Sequence, residues 1–267
     1  MSFVHAQIVI QVSDRKLTYI TPTAPGAPEP SDANKSILFN DKAIFGFTGL
    51  AKLEGQPTDL WLAGILAGAG DDVIRAMNLV REALTRAYPR RHSHVPHTVM
   101  ATGFRDDDGS LQPFNVLISN DFDGQRWHNK GTSTEFTGSW QACEPRQIIV
   151  GQAPGWISPS RLTRLARIIG RGLDRGLSIQ TVVQLLSREI RDVAAGHVEV
   201  GADLMVSSLP VPVSVPVAGR TLSVVNDSVS SGMPAFYYLP AVGGPVSFGP
   251  TIVMRGAIFS NMEIRQP

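Results

Sequence analysis

Cysteine is nearly absent from this chain of 267 residues: Cys143 stands alone, so no disulfide can form within it. Its stability must come from a packed core, and a reducing cytosol is the favoured compartment. Long apolar runs are missing too. The longest, Leu60 to Ala69, falls well short of the ~18 residues a membrane span needs, so no transmembrane segment is expected. Charge excess of either sign is lacking, with 24 Lys plus Arg against 23 Asp plus Glu and no basic or acidic block. That excludes the electrostatic footprint of a nucleic-acid binder and leaves neutral surfaces or small molecules as partners. Met1 to Gln7 carries no basic stretch and leads straight into Ile8-Val9-Ile10, which reads as a strand and not a signal peptide. A soluble cytoplasmic protein is the expectation. Internal repeats and low-complexity tracts are also wanting.

What is present is apolar material enough for one large core, 43% of the chain by residue. One domain over 1–267 is expected, with 210–267 as a β-rich C-terminal extension. Strand-like runs occupy Gln7 to Ser13, Leu17 to Thr21, Ser36 to Phe39 and Ala43 to Phe47. Between the second and third, the four prolines of Pro22 to Pro30 cannot join a sheet ladder and mark a loop. Thr58-Asp59 then reads as the cap of a helical stretch, and after a Gly68-Ala-Gly70 break Val73, Met77, Val80, Leu84 and Ala87 recur at helical spacing.

Strands return at Thr98 to Phe104 and Phe114 to Ser119, with a hairpin signal in the Asp108-Gly109 pair between them, then at Arg126 to His128 and Gln147 to Val150. Ser158-Pro159 supplies a cap with proline at the first helical position, and Ser178 caps a second helix whose stripe is Ile179, Val182, Val183, Leu186, Ile190 and Val193. From Ala202 onward the chain is strand and turn, at Leu204 to Ser208, Ser223 to Val225, Phe236 to Leu239 and Thr251 to Phe259. Strands, two helices, strands, two helices, strands is the order of an α+β protein, and a four-layer α-β-β-α sandwich meets it with short connections.

Three elements near the N-terminus carry a further message: Ser13-Asp14-Arg15 ends a strand, Asn34-Lys35-Ser36 opens another and Thr48-Gly49-Leu50 closes it. Farther on come Gly103-Phe104 with Asp106 to Gly109, and Arg191-Asp192 with Ala195-Gly196. In this order, over roughly residues 7 to 209, they resemble the proteasome β-subunit family and so an N-terminal-nucleophile (Ntn) hydrolase fold. The resemblance implies that Asp14 and Lys35 tune the field around a nucleophile, that the Gly49 amide stabilises an oxyanion, and that Asp192 is the second aspartate near the active-site terminus. The Lys35 to Gly49 interval of 14 residues agrees with the family pattern. Asp14-Arg15 lacks the usual intervening residue, and Ala195 stands where the family has serine.

In such a site a terminal hydroxyl residue attacks while its own α-amine, with a pKa near ~8, takes the proton. A backbone amide holds the developing negative charge. The expected N-terminal threonine is not found here. Only Ser2, after removal of Met1, offers a hydroxyl at the start of the chain. Met1 to Ser13 also lacks the Gly, Asn-Gly or Asp-Gly that usually turns a hairpin, so the first strand is expected to be truncated or fused into the second.

Plainer readings stand beside these. Asp14 and Arg15 suit a surface turn, Lys35 a solvated strand start, and Gly49 a strand-to-helix corner. Asp192 opposes the dipole at its helix end, which points to a partner such as Arg191 or a nearby amide. His92, His94 and His97 have a spacing that zinc could use, but they fall in a loop with Arg90 and Arg91 and no nearby cysteine; no metal is assigned. Cys143 reads as a small buried hydrophobe. Gly151 to Gly155 lacks the ending of a phosphate loop, and no cofactor is assigned.

Two functions follow. One is a proteasome-like subunit with a degenerate site, a threonine-type peptidase relative that works as a homo-oligomer or partner-binding protein. The other is an Ntn amide or peptide hydrolase using Ser2, Asp14, Lys35, Gly49 and Asp192 on a peptide or small amide.

Overall fold

Alternation within Ile8-Val-Ile-Gln-Val-Ser-Asp14 makes a strand with two different faces, and that difference organises the molecule. Ile8, Ile10 and Val12 join a cluster with the later helices, whereas Val9 and Gln11 face a second sheet. The computed structural model describes residues 1–16, 34–107, 110–121, 134–151, 156–197, 200–211, 235–239, 246–248, 250–260 and 263–265. The sequence-predicted elements at Leu17 to Thr21, Arg126 to His128 and Ser223 to Val225 and the proline loop 22–30 lie outside them.

The first strands are β1 (Ser2–Val4), β2 (Ile8–Asp14), β3 (Ser36–Phe39) and β4 (Ala43–Thr48), followed by the small ribbon β5 (Lys52–Leu53) and β6 (Gln56–Pro57). Helices α1 (Thr58–Ala67) and α2 (Val73–Ala87) come next, then β7 (Thr98–Asp107), β8 (Ser110–Ser119), β9 (Thr137–Ala142) and β10 (Gln147–Ile149). Helices α3 (Pro159–Leu173) and α4 (Ile179–Ala194) lead to β11 (Leu204–Pro210) and β12 (Ala235–Leu239). The last strands are β13 (Val246–Phe248), β14 (Thr251–Met254), β15 (Ala257–Phe259) and β16 (Glu263–Arg265).

Two main sheets result, one in the order β10-β1-β2-β11-β12 and the other β15-β14-β3-β4-β7-β8-β9. The protein is therefore mixed α+β with four helices among its described residues. Leu62, Leu66, Val73, Val80 and Leu84 of α1 and α2 pack on Phe39, Phe45 and Val116 of the seven-stranded sheet. Leu165, Ile169, Val182 and Leu186 of α3 and α4 pack on Ile8, Ile10 and Val206 of the five-stranded one. On their other faces the sheets meet each other: Val4 and Ile149 touch Met100 and Leu117, and Val9 and Leu209 touch Leu38 and Ile44. No helix among the described residues is long and apolar enough to cross a membrane.

Two local expectations are corrected. β1 and β2 do form an antiparallel hairpin, in the register Ser2 to Gln11, through a two-residue Ala6-Gln7 connection. No glycine is needed because neither Ala6 nor Gln7 takes a positive φ; His5 and Ile8 exchange backbone hydrogen bonds (2.9 and 3.3 Å) and the Gln7 amide donates to His5 Nδ1 at 3.4 Å. Thr58 is the first residue of α1 and not its cap; Pro57 precedes it, and the Thr58 hydroxyl donates to the Leu50 carbonyl at 2.7 Å. The true acidic cap is Asp72, which accepts from the Ile74 and Arg75 amides at the start of α2.

The segment after residue 210 contributes to both sheets. β12 adds to β11, while β14 lies parallel to β3 with Val253 in the core, and the Arg255-Gly256 turn (φ +49 and +82) returns the chain as β15.

Candidate active site at the strand ends

β2 ends at Asp14, and its carboxylate gathers three donors onto Oδ1. The Lys35 ammonium, just before β3, lies 2.8 Å away; the Lys16 amide donates at 3.1 Å in an Asx-type turn, and the Gly201 amide at 3.4 Å. The side chains of Lys35 and Asp14 are 10% and 22% exposed, so the pair is largely out of water and its charge-assisted bond is stronger than a surface one. Gly201 stands close to Lys16: a Cβ there would come within 2.7 Å of the Lys16 Cβ.

Gly49 closes the same end of the seven-stranded sheet. Ser36 pairs with Gly46, so extending that register sets Lys35 opposite Phe47, two residues before Gly49. Gly49 takes φ +112, a backbone state that disfavours side chains, and a Cβ on it would strike His97 Nδ1 at 2.6 Å. The Leu50 amide that follows donates to that same Nδ1 at 3.0 Å.

The Met1 α-amine also belongs to this end. It donates to the Val12 carbonyl at 2.9 Å, and burial brings it down from 8.0 to about 6, with the charge of Asp14 pulling the other way.

Ser2 and Asp192 lie elsewhere. Ser2 is fully buried, and its Oγ accepts from Gln11 Nε2 at 3.4 Å and lies 3.2 Å from Thr102 Oγ1, which is itself 3.2 Å from Asn115 Oδ1. Ser2 shares the inter-sheet face with its partner Gln11, whereas Asp14 has the parity of Ile8, Ile10 and Val12 on the other face. Along β2, three residues separate Gln11 from Asp14, about 10 Å. Asp192 is held by Arg161 of α3, at 2.6 Å, and not by Arg191, whose Nε donates to the Ala202 carbonyl. Arg161 forks between Asp192 and Glu189, and both carboxylates hold its charge up.

The histidines separate as well. His92 lies in a short exposed turn, Arg90–His92, while His97 is wholly buried among Phe47, Tyr88 and Phe136. Burial pushes His97 from 6.5 down to about 3, so its ring is neutral and serves as the acceptor for Leu50. Among the described residues no group of three His, Cys, Asp or Glu could hold a metal ion. Cys143 is buried between the sheets, and burial pushes its thiol up to about 11.

The arrangement thus unites Asp14, Lys35, Gly49 and the Met1 amine at one end of the sheets. The Gly201 amide and the Met1 amine are additions that sequence order did not supply; the glycine just before the β11 run was the available signal for the first. No protein-family model matches the chain, and no curated protein matches it.

Proposed function

We propose that this chain is a proteasome-like subunit, an Ntn-type four-layer α-β-β-α sandwich with a degenerate active site, working as a self-assembling or partner-binding protein. The observation that carries this reading is the location of Ser2. Its hydroxyl is enclosed between the sheets beside Gln11 and Thr102, about 10 Å along the strand from the Asp14–Lys35 pair it would need. The two helix-on-sheet cores, back to back across Val4, Met100, Leu117 and Ile149, support the layer order. Exposed Met254, Ile258 and Phe259 on the β14–β15 edge supply apolar surface that assembly would bury.

The test is intact mass before and after an electrophile selective for N-terminal hydroxyl nucleophiles, with light scattering over a wide concentration range. The expected result is no adduct and a defined assembly of several copies. Ser2→Ala should lose about 1–2 kcal/mol of stability, because the Gln11 amide group is left unpaired in the interior. An adduct on Ser2 that vanishes in Ser2→Ala would establish the Ntn amide hydrolase instead, and a monomer at every concentration would sink the assembly role.

One further observation favours a second reading. Met1 faces Val12, so two more residues ahead of it would carry β1 to the position opposite Asp14. A native chain that begins upstream with a processed threonine would deliver a nucleophile to Lys35 and Asp14. N-terminal sequencing of the protein from its source decides this.

A further inference from the structure

A cavity of about 340 Å³ opens on the helix-covered face of the seven-stranded sheet, between α2 and the edge strand β9. Four strand spacings separate β3 from β9 in that sheet, about 19 Å, so the cavity is remote from Lys35 and independent of the function proposed above. Its floor is Met77, Val116 and Ile118, all apolar, and its volume falls within the ordinary range of small-molecule sites.

The wall is aromatic. Trp140 lies on Phe114 with ring centres 5.0 Å apart and planes at 11°, and Arg105 caps the indole with its guanidinium 5.1 Å from the ring centre. These contacts hold the indole in place, and Trp140 stays 37% exposed where it lines the cavity. Gly138, two residues earlier on the same face of β9, keeps the mouth open: its Cβ position meets only Arg81 Cδ at 3.9 Å and Ile118 at 4.0 Å.

Charge selects among apolar occupants. Among the described lining residues none is acidic, whereas Arg81 reaches the cavity from α2, exposed and making no ion pair among the described residues, and Arg105 lies beside the indole. An apolar floor, a flat indole wall and guanidinium at the rim match a planar apolar body bearing a carboxylate, which an Arg fork binds in two-point fashion.

We propose that this cavity is a binding site for small aromatic carboxylates, the ring lying against Trp140 and the carboxylate meeting Arg81. The probe is 2-naphthoate, with 2-naphthalenemethanol as its uncharged counterpart, titrated against the full chain by tryptophan fluorescence and calorimetry. Saturable one-to-one naphthoate binding is expected, at least tenfold tighter than the alcohol. Arg81→Met, an exposed change, should weaken naphthoate tenfold and leave the alcohol unchanged. Gly138→Leu should abolish both while circular dichroism and Tm stay near the parent's. Absence of saturation up to millimolar naphthoate, equal affinity for acid and alcohol, or an unaltered Arg81→Met overturns the proposal.

Discussion

Two of the places where the chain buries polar groups contrast with each other. At the strand ends it joins opposite charges, Asp14 and Lys35, and leaves each a share of solvent. Between and beside the sheets it buries neutral groups: the Ser2, Gln11, Thr102 and Asn115 chain, and His97 with its ring among three aromatics. A buried charge loses several kcal/mol of hydration, which only excellent pairing offsets, whereas a neutral donor and acceptor need only meet. The neutral groups accordingly fit where the sheets approach closely. Gly46 illustrates this, since a Cβ there would come within 2.8 Å of Gln11 Oε1. The charged end is where chemistry could reach solvent.

Acid should break the contrast most strongly, by forcing charge onto a neutral group. His97 titrates near 6.5 when unfolded and near 3 when folded, so below pH 6.5 the unfolded chain binds a proton that the native state refuses. Stability is complete above that point and falls as pH drops, by up to about 1.4 kcal/mol per pH unit. Between pH 7 and 4 the histidine should account for about 3 kcal/mol. Denaturant unfolding at the two values checks this: His97→Gln, which keeps an acceptor for the Leu50 amide, should lose markedly less on acidification than the parent. Equal losses would show that His97 is not the group responsible.

Removing one charge at the strand ends comes next in size. Lys35→Met leaves the Asp14 carboxylate half-buried with only the Lys16 and Gly201 amides, and should cost about 2–3 kcal/mol. The double variant Asp14→Asn with Lys35→Met should cost less than the two single changes added together, because each single change strands its partner. A loss below about 0.5 kcal/mol for Lys35→Met would reclassify the pair as an ordinary surface bridge.

How far the sequence reveals these features depends on how local their causes are. α3 and α4 are legible because Ser158 and Ser178 cap them and their apolar residues recur at helical spacing. β9 is not, since Thr137–Ala142 is an edge strand with little apolar alternation. The β1–β2 hairpin escapes notice because its Ala6-Gln7 turn has no positive φ and so needs none of the usual turn residues. At the candidate site, Asp14, Lys35 and Gly49 stand out only through the family resemblance that their order carries. The surroundings of His97 are hidden, because they come from Phe47, Tyr88 and Phe136 on separate elements. Ser2 hides for a different reason: strand parity, set by the register with Gln11, decides which side its hydroxyl takes.

Asp192 gives the smallest expected effect and the sharpest test of which charges belong to the strand-end site. Its carboxylate is 47% exposed and meets Arg161, itself 50% exposed, so solvent screens the pair. Arg161 keeps Glu189 when Asp192 is neutralised, and that carboxylate is 13% exposed, hence the stronger of the two partners. Asp192→Asn should therefore shift stability by less than about 0.5 kcal/mol and add to Lys35→Met without coupling, as distant sites do. Coupling of 1 kcal/mol or more between Asp192 and Lys35 in denaturant unfolding would mean that the helix end and the strand ends act as one site. Additivity would leave Asp192 as a tie between α3 and α4, with Asp14 the only one of the two aspartates that serves Lys35.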